Sequence, residues 1–161
     1  MDRTLLRSGA LFILCLALPL LAGAIGSLYT MSSILTWYAT LSKPAFTPPN
    51  WVFGPVWTTL YIMMGIALFL VIRGGWDTSP VRQGIVLFAA QLVVNTLWSI
   101  IFFGLRSPLA ALITIAALIV LVAATILKFY AVSRPAGWLL VPYLCWGCFA
   151  SVLNAMIIVL N

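Results

Sequence analysis

An all-α membrane protein, a single bundle of five spanning helices, is the fold class this sequence predicts. Three observations carry that expectation. Apolar residues make up 65% of the chain and charged residues 6%, where a soluble domain carries roughly 25% charged residues to keep its surface wet. Mean hydropathy is +1.21. The apolar residues also fall into five runs, each near the ~20 residues that cross a hydrocarbon core, and the charges lie almost entirely between them. Runs that are apolar on every face lack the alternation of a barrel, and an open sheet would leave backbone groups unpaired in lipid. Helices remain.

The first helix is expected at about 4–29. Arg3, Arg7, an apolar run and Ala22-Gly23-Ala24 have the outline of a signal peptide with its cleavage site. The run continues through Ile25, Leu28 and Tyr29, however, so a retained span is expected. Residues 30–50 then form a loop unlike the usual short polar connector. The stretch 37–57 holds three of the seven tryptophans, four of the nine prolines and Lys43. Pro44, Pro48 and Pro49 fix their own φ and hold the preceding residues extended, so they set the loop's shape and predict a semi-rigid lid.

The second helix is expected at 51–72, with Pro55 tolerated in its first turn. The third, at 80–104, carries Gln91 and Asn95 at i, i+4, with Trp98 farther along the same face. An amide in lipid is costly without a partner. Two readings stay open for these: glue between helices, or the wall of an internal cavity. The fourth helix, at 107–130, is rich in alanine. The fifth, at 135–160, contains Pro142, which predicts a kink or a carbonyl opened to the bundle interior, followed by Tyr143, Trp146 and Asn154. Short loops after the second helix predict that sequential helices pack as antiparallel neighbours. Ala22-xxx-Gly26 and Gly23-xxx-Ser27 permit close approach within the bundle or between copies.

Charge sets orientation. Arg3, Arg7, Arg73, Arg82, Lys128 and Arg134 fall on one face and only Lys43 and Arg106 on the other, which predicts a cytoplasmic N-terminus and an external lid. The net charge of +6 is scattered singly, so no nucleic-acid partner is expected. There is no histidine, and the two acids, Asp2 and Asp77, sit near membrane edges. That excludes His-based acid–base chemistry and a paired-carboxylate site, and no metal site is expected. Cys15, Cys145 and Cys148 read as packing residues, because Cys145-x-x-Cys148 has no further ligands beside it. No span carries a central acid or base to relay an ion.

The aromatic residues divide by depth. Trp37, Tyr38, Trp51, Trp76 and Trp138 lie near helix ends, where an interfacial belt accounts for them. Trp57, Trp98 and Trp146 lie deeper. With Asn95 they would wall a flat, apolar pocket with few polar anchors, suited to a large planar or rigid hydrophobe.

Four motif blocks carry a resemblance over essentially the whole chain. They are Trp37-Tyr38-x4-Lys43-Pro44-x3-Pro48-Pro49, Gly54-Pro55-Val56-Trp57-x2-Leu60-Tyr61, Gln91-x3-Asn95-x2-Trp98-x3-Phe102-Phe103-Gly104, and Pro142-Tyr143-x2-Trp146-x3-Ala150-x3-Asn154. The sequence resembles the tryptophan-rich sensory protein/translocator protein family (TspO/MBR, the peripheral-type benzodiazepine receptor). The resemblance implies one domain over 1–161, a homodimer, and a ligand pocket beneath the 30–50 lid. It implies porphyrins such as protoporphyrin IX and haem as ligands rather than required cofactors, with synthetic isoquinoline and benzodiazepine compounds as further ligands. Carried over by motif, the ligand-binding residues are Tyr38, Trp57, Tyr61, Asn95, Trp98, Trp146 and Ala150.

Two activities follow as alternatives from the same resemblance. One is a membrane receptor or carrier in tetrapyrrole-linked stress or regulatory signalling. The other is an enzyme that degrades protoporphyrin IX in light, with Trp57 and Trp146 as its catalytic pair, donating an electron or hydrogen atom to the excited ring. A sterol or lipid carrier ranks below both. The family's cholesterol motif needs a Tyr and an Arg after the Leu-Asn of the fifth helix. Here Leu153-Asn154 is followed by Ala155-Met156-Ile157-Ile158-Val159. Cholesterol is therefore expected to bind weakly at most, and the missing basic tail matches a prokaryotic member.

Overall fold

Each apolar run is a helix in the computed structural model, which describes residues 3–75 and 78–161. Asp2, Trp76 and Asp77, and the side chain of Arg3, lie outside the described residues. The helices are α1 (Arg3–Ile34), α2 (Trp37–Thr40), α3 (Asn50–Ile72), α4 (Ser79–Ser99), α5 (Pro108–Val132) and α6 (Arg134–Leu160), with a π-helical turn, Ile100–Gly104, continuing α4. Five of them are long and apolar enough to cross a membrane. This is an integral, multi-pass membrane fold, and the described residues contain no strand.

α1 runs to Ile34, past the end expected at 29. The hydroxyls of Ser27, Thr30 and Ser32 donate back to the carbonyls of Ala24, Gly26 and Tyr29 at 2.7, 3.3 and 2.8 Å. Polar residues paired in this way prolong a membrane helix instead of ending it. The lid is shorter in consequence, and α2 is folded into it. α3 begins at Asn50 behind Pro49, so Pro55 falls in the second turn. α6 continues through Pro142, whose ring is exposed on the outer surface and does not face the interior.

The helices close a ring in the order α1, α3, α6, α5, α4. This corrects one expectation. α3 and α4, joined by a short loop, are not ring neighbours; they meet across the middle, where Tyr61 reaches Asn95. Glycines explain which faces meet. A Cβ on Gly65 would lie 2.8 Å from the Cys15 carbonyl oxygen, and one on Gly104 2.8 Å from the Tyr29 ring, so α1 packs on both α3 and the π turn at backbone distance. The small residues of α1 are used the same way. Gly23 abuts Tyr61 and Gly26 abuts Ser99, inside the bundle.

One end of the ring is filled and the other is open. Toward the basic face, Met64, Ala67, Val71, Val81, Phe129 and Ala136 are fully buried, and Phe88 stacks on Phe129 at 5.6 Å. Toward the lid the helices diverge around a cavity. The π turn lies on that side. Its i→i−5 bond, Leu105 N–H to Ile100 O at 2.8 Å, turns Phe102 and Phe103 inward, and Ser33 of α1 donates to the Phe103 carbonyl at 2.8 Å. Such turns recur at functional sites.

Candidate functional site

Beneath the lid lies a cavity of about 550 Å³, walled by α1, α2, α3, the end of α4 with its π turn, and α6. That size is within the ~300–1,000 Å³ of ordinary small-molecule sites. Among the described residues no charged side chain lines it, and nine of its 25 lining residues are aromatic. The structure brings six of the seven sequence-predicted ligand residues to its surface: Tyr38, Trp57, Tyr61, Trp98, Trp146 and Ala150. The seventh, Asn95, does not reach it. Asn95 is 2% exposed and sits one layer behind, bonded to two tyrosine hydroxyls.

α3 presents Trp57 and Tyr61 on one face, their rings stacked at 5.4 Å with 26° between planes. Trp98 stacks on Phe102 at 5.3 Å, and its indole N–H donates to Asn154 Oδ1 at 3.3 Å. Asn154 also donates to the Pro108 carbonyl at 2.8 Å, which ties α6 to the start of α5. On α6, Trp146 meets Phe53 edge-on at 5.9 Å. Its indole N–H is the one buried side-chain polar atom without a partner among the described residues. An unpaired donor in an apolar interior costs free energy. Trp146 also walls a second, outward-facing groove formed by Pro48, Val56, Leu60, Pro142, Cys145 and Phe149. Cys145 and Cys148 are free thiols on the exposed side of α6.

The loop over the cavity is anchored at several points. Pro44 is buried, and Thr47 N–H closes a turn on its carbonyl at 3.0 Å. Lys43 caps α2, donating to the carbonyls of Tyr38 and Leu41 at 2.8 and 3.0 Å, with its ammonium 4.7 Å above the Tyr38 ring. Burial pushes the Tyr38 phenol above its ordinary value. At the far end, the Asn161 side chain pairs with the main chain of Ser42 in both directions. It accepts from Ser42 N–H at 2.9 Å and donates to Ser42 O at 3.0 Å.

Trp138 is exposed, as an interface anchor would be; Trp51 is exposed too but also borders the cavity, and Trp37 packs edge-on against Phe102 at 5.6 Å. Sequence reasoning missed three walls of the cavity. On α1, Gly23 and Ser27 read only as a packing stripe and Thr30 carried no signal, nor did Phe53, while Phe102 and Phe103 turn inward at the π turn. Asn154 was visible as a buried amide without an assigned place.

The family model described as TspO/MBR family matches residues 15–160. The chain is 51% identical over 148 residues to the "Tryptophan-rich protein TspO" of Chlorobaculum tepidum, covering 92% of this chain and 94% of that one. It is 41% identical over 138 residues to the human "Translocator protein", covering 84% and 81%. The "Tryptophan-rich sensory protein" of Cereibacter sphaeroides is 40% identical over 118 residues, covering 73% and 72%.

Proposed function

Because the chain belongs to the TspO/MBR family, we propose that it is a membrane receptor or carrier for porphyrins such as protoporphyrin IX and haem, acting in tetrapyrrole-linked signalling. The observation that carries this reading is the uncharged cavity of about 550 Å³ beneath the lid, whose walls include Trp57, Trp98 and Trp146. A planar aromatic macrocycle stacks on indole faces, with roughly 0.5–1.5 kcal/mol gained per aromatic pair beyond area burial.

Light-dependent breakdown of protoporphyrin IX is the second reading. It is favoured by the placement of Trp57 and Trp146 in the same cavity wall system. One experiment separates the two. Purified protein in nanodiscs is titrated with protoporphyrin IX by tryptophan quenching, then illuminated in air while porphyrin absorbance is followed. Saturable quenching is expected, with weaker binding in Trp57→Phe/Trp146→Phe, where a phenyl ring offers less stacking area than an indole. No saturable quenching in the wild type would remove the porphyrin reading. Bleaching no faster than in the double variant would remove the enzyme reading.

We place the lid outside and the N-terminus in the cytoplasm, on the asymmetry of Arg7, Arg73, Arg82, Lys128 and Arg134 against Lys43 and Arg106. In a cysteine-free background, Thr47→Cys should react with an impermeant maleimide added to intact cells and Ser79→Cys should not. The reverse pattern inverts the topology.

A further inference from the structure

A buried chain of hydrogen bonds runs behind the cavity and ties three helices together. Tyr61 of α3 donates to Asn95 Oδ1 at 2.8 Å, Asn95 Nδ2 of α4 donates to the Tyr143 hydroxyl of α6 at 2.9 Å, and Tyr143 donates to Gln91 Oε1 at 2.9 Å. The chain runs in one direction. Tyr143 has one proton and spends it on Gln91, so Asn95 meets it as a donor. The Asn95 amide supplies that N–H and leaves its oxygen for Tyr61. Gln91, Asn95 and Tyr143 are each at most 2% exposed, and none of the three lines the cavity.

Both phenols in this chain bear on one indole. Tyr61 is stacked on Trp57 at 5.4 Å, and Tyr143 meets Trp57 edge-on at 6.1 Å with 66° between planes. Trp57 makes no side-chain hydrogen bond among the described residues, so packing against these two rings fixes its plane. The two rings are in turn bonded at their hydroxyl ends to the same amide, Asn95, which among the described residues is the one side-chain partner of Tyr61 and shares Tyr143 with Gln91. We propose that Asn95 is a positioning residue, which sets through Tyr61 and Tyr143 the plane that Trp57 offers to a ligand. The inference rests on the proposed ligand site for its functional meaning, but its structural half stands without any ligand.

An aliphatic side chain at 95 fills the space and holds neither phenol. A carboxyl group held neutral by its burial keeps both bonds, accepting from Tyr61 and donating to Tyr143. Asn95→Leu and Asn95→Asp are therefore compared without ligand. The readout is the near-ultraviolet circular dichroism of Trp57, taken as the difference between each form and its Trp57→Phe counterpart. Asn95→Leu is expected to lose most of the Trp57 signal and Asn95→Asp to keep it. In nanodiscs, Asn95→Leu should bind protoporphyrin IX about fivefold more weakly, the scale of one hydrogen bond lost from the support, with Asn95→Asp near wild type.

Should Asn95→Leu fail to fold, Tyr61→Phe reads the same link, since it keeps the ring and removes only the hydroxyl. An unchanged Trp57 signal in a folded Asn95→Leu or in Tyr61→Phe overturns the inference. So does Asn95→Asp losing the signal as fully as Asn95→Leu. Failure of the wild type to bind porphyrin would instead overturn the proposed ligand, and the ligand-free comparison would still decide the role of Asn95.

Discussion

Gly65→Ala is expected to destabilise the bundle by about 2–3 kcal/mol, the upper range for one methyl forced into a packed interior. The added Cβ would lie 2.8 Å from both the Cys15 carbonyl oxygen and the Leu16 Cα. Backbone, unlike the end of a flexible side chain, cannot turn aside. Pro19 lies within α1 and has no N–H, so the Cys15 carbonyl lacks the partner four residues on that would normally pair it, and the added methyl would be pressed onto that oxygen. Gly54→Ala and Gly9→Ala, with nothing within 4 Å of the added methyl, serve as controls. Thermal melts in one detergent should show Gly65→Ala several degrees below both, and coincident melts would dismiss the α1–α3 crossing as the keystone of the ring.

Much of this architecture was legible because lipid leaves a chain few options. Five apolar runs became five spanning helices, and Lys43 with its prolines became a pinned lid. Three features were not legible, each for a physical reason. The apolar run stops at Tyr29, where the first helix was expected to end, yet the hydroxyls of Thr30 and Ser32 bond back to their own helix and prolong it. The order of helices in the ring is set by which glycine meets which backbone, and short loops constrain that only weakly. The π turn depends on one extra residue per turn, for which the sequence Ile100–Gly104 has no marker.

The buried amides show the limit most clearly. Gln91 and Asn95 read as either glue or cavity wall. Their spacing put them on one face of α4 without saying what that face meets. In the structure they bond across helices, while the ring that Asn95 holds, Tyr61, does the lining. Motif position thus located the neighbourhood of the site and left open which side of each helix faces the cavity. Trp57, Trp98 and Trp146 were easier, since depth within a span already separated them from belt residues.

Gly23→Ala should strike the site harder than the fold, lowering porphyrin affinity tenfold or more, which corresponds to about 1.4 kcal/mol. The added methyl would overlap the Tyr61 ring, with Cδ2 at 2.6 Å and Cζ at 2.8 Å. A free ring would rotate away. Tyr61 cannot, because its face is stacked on Trp57 and its hydroxyl is bonded to Asn95 at 2.8 Å. Either the ring tilts and takes Trp57 with it, or α1 moves outward and widens the cavity wall. Both outcomes spoil a stacking surface that works only when its planes are parallel to the ligand. Stability should suffer less than in Gly65→Ala, because the displaced groups border an open cavity and can yield into it. The measurement is a protoporphyrin IX titration beside a melt for each variant. Wild-type affinity in Gly23→Ala would mean that Tyr61 is free to move, and that neither its stack nor its hydrogen bond governs the shape of the site.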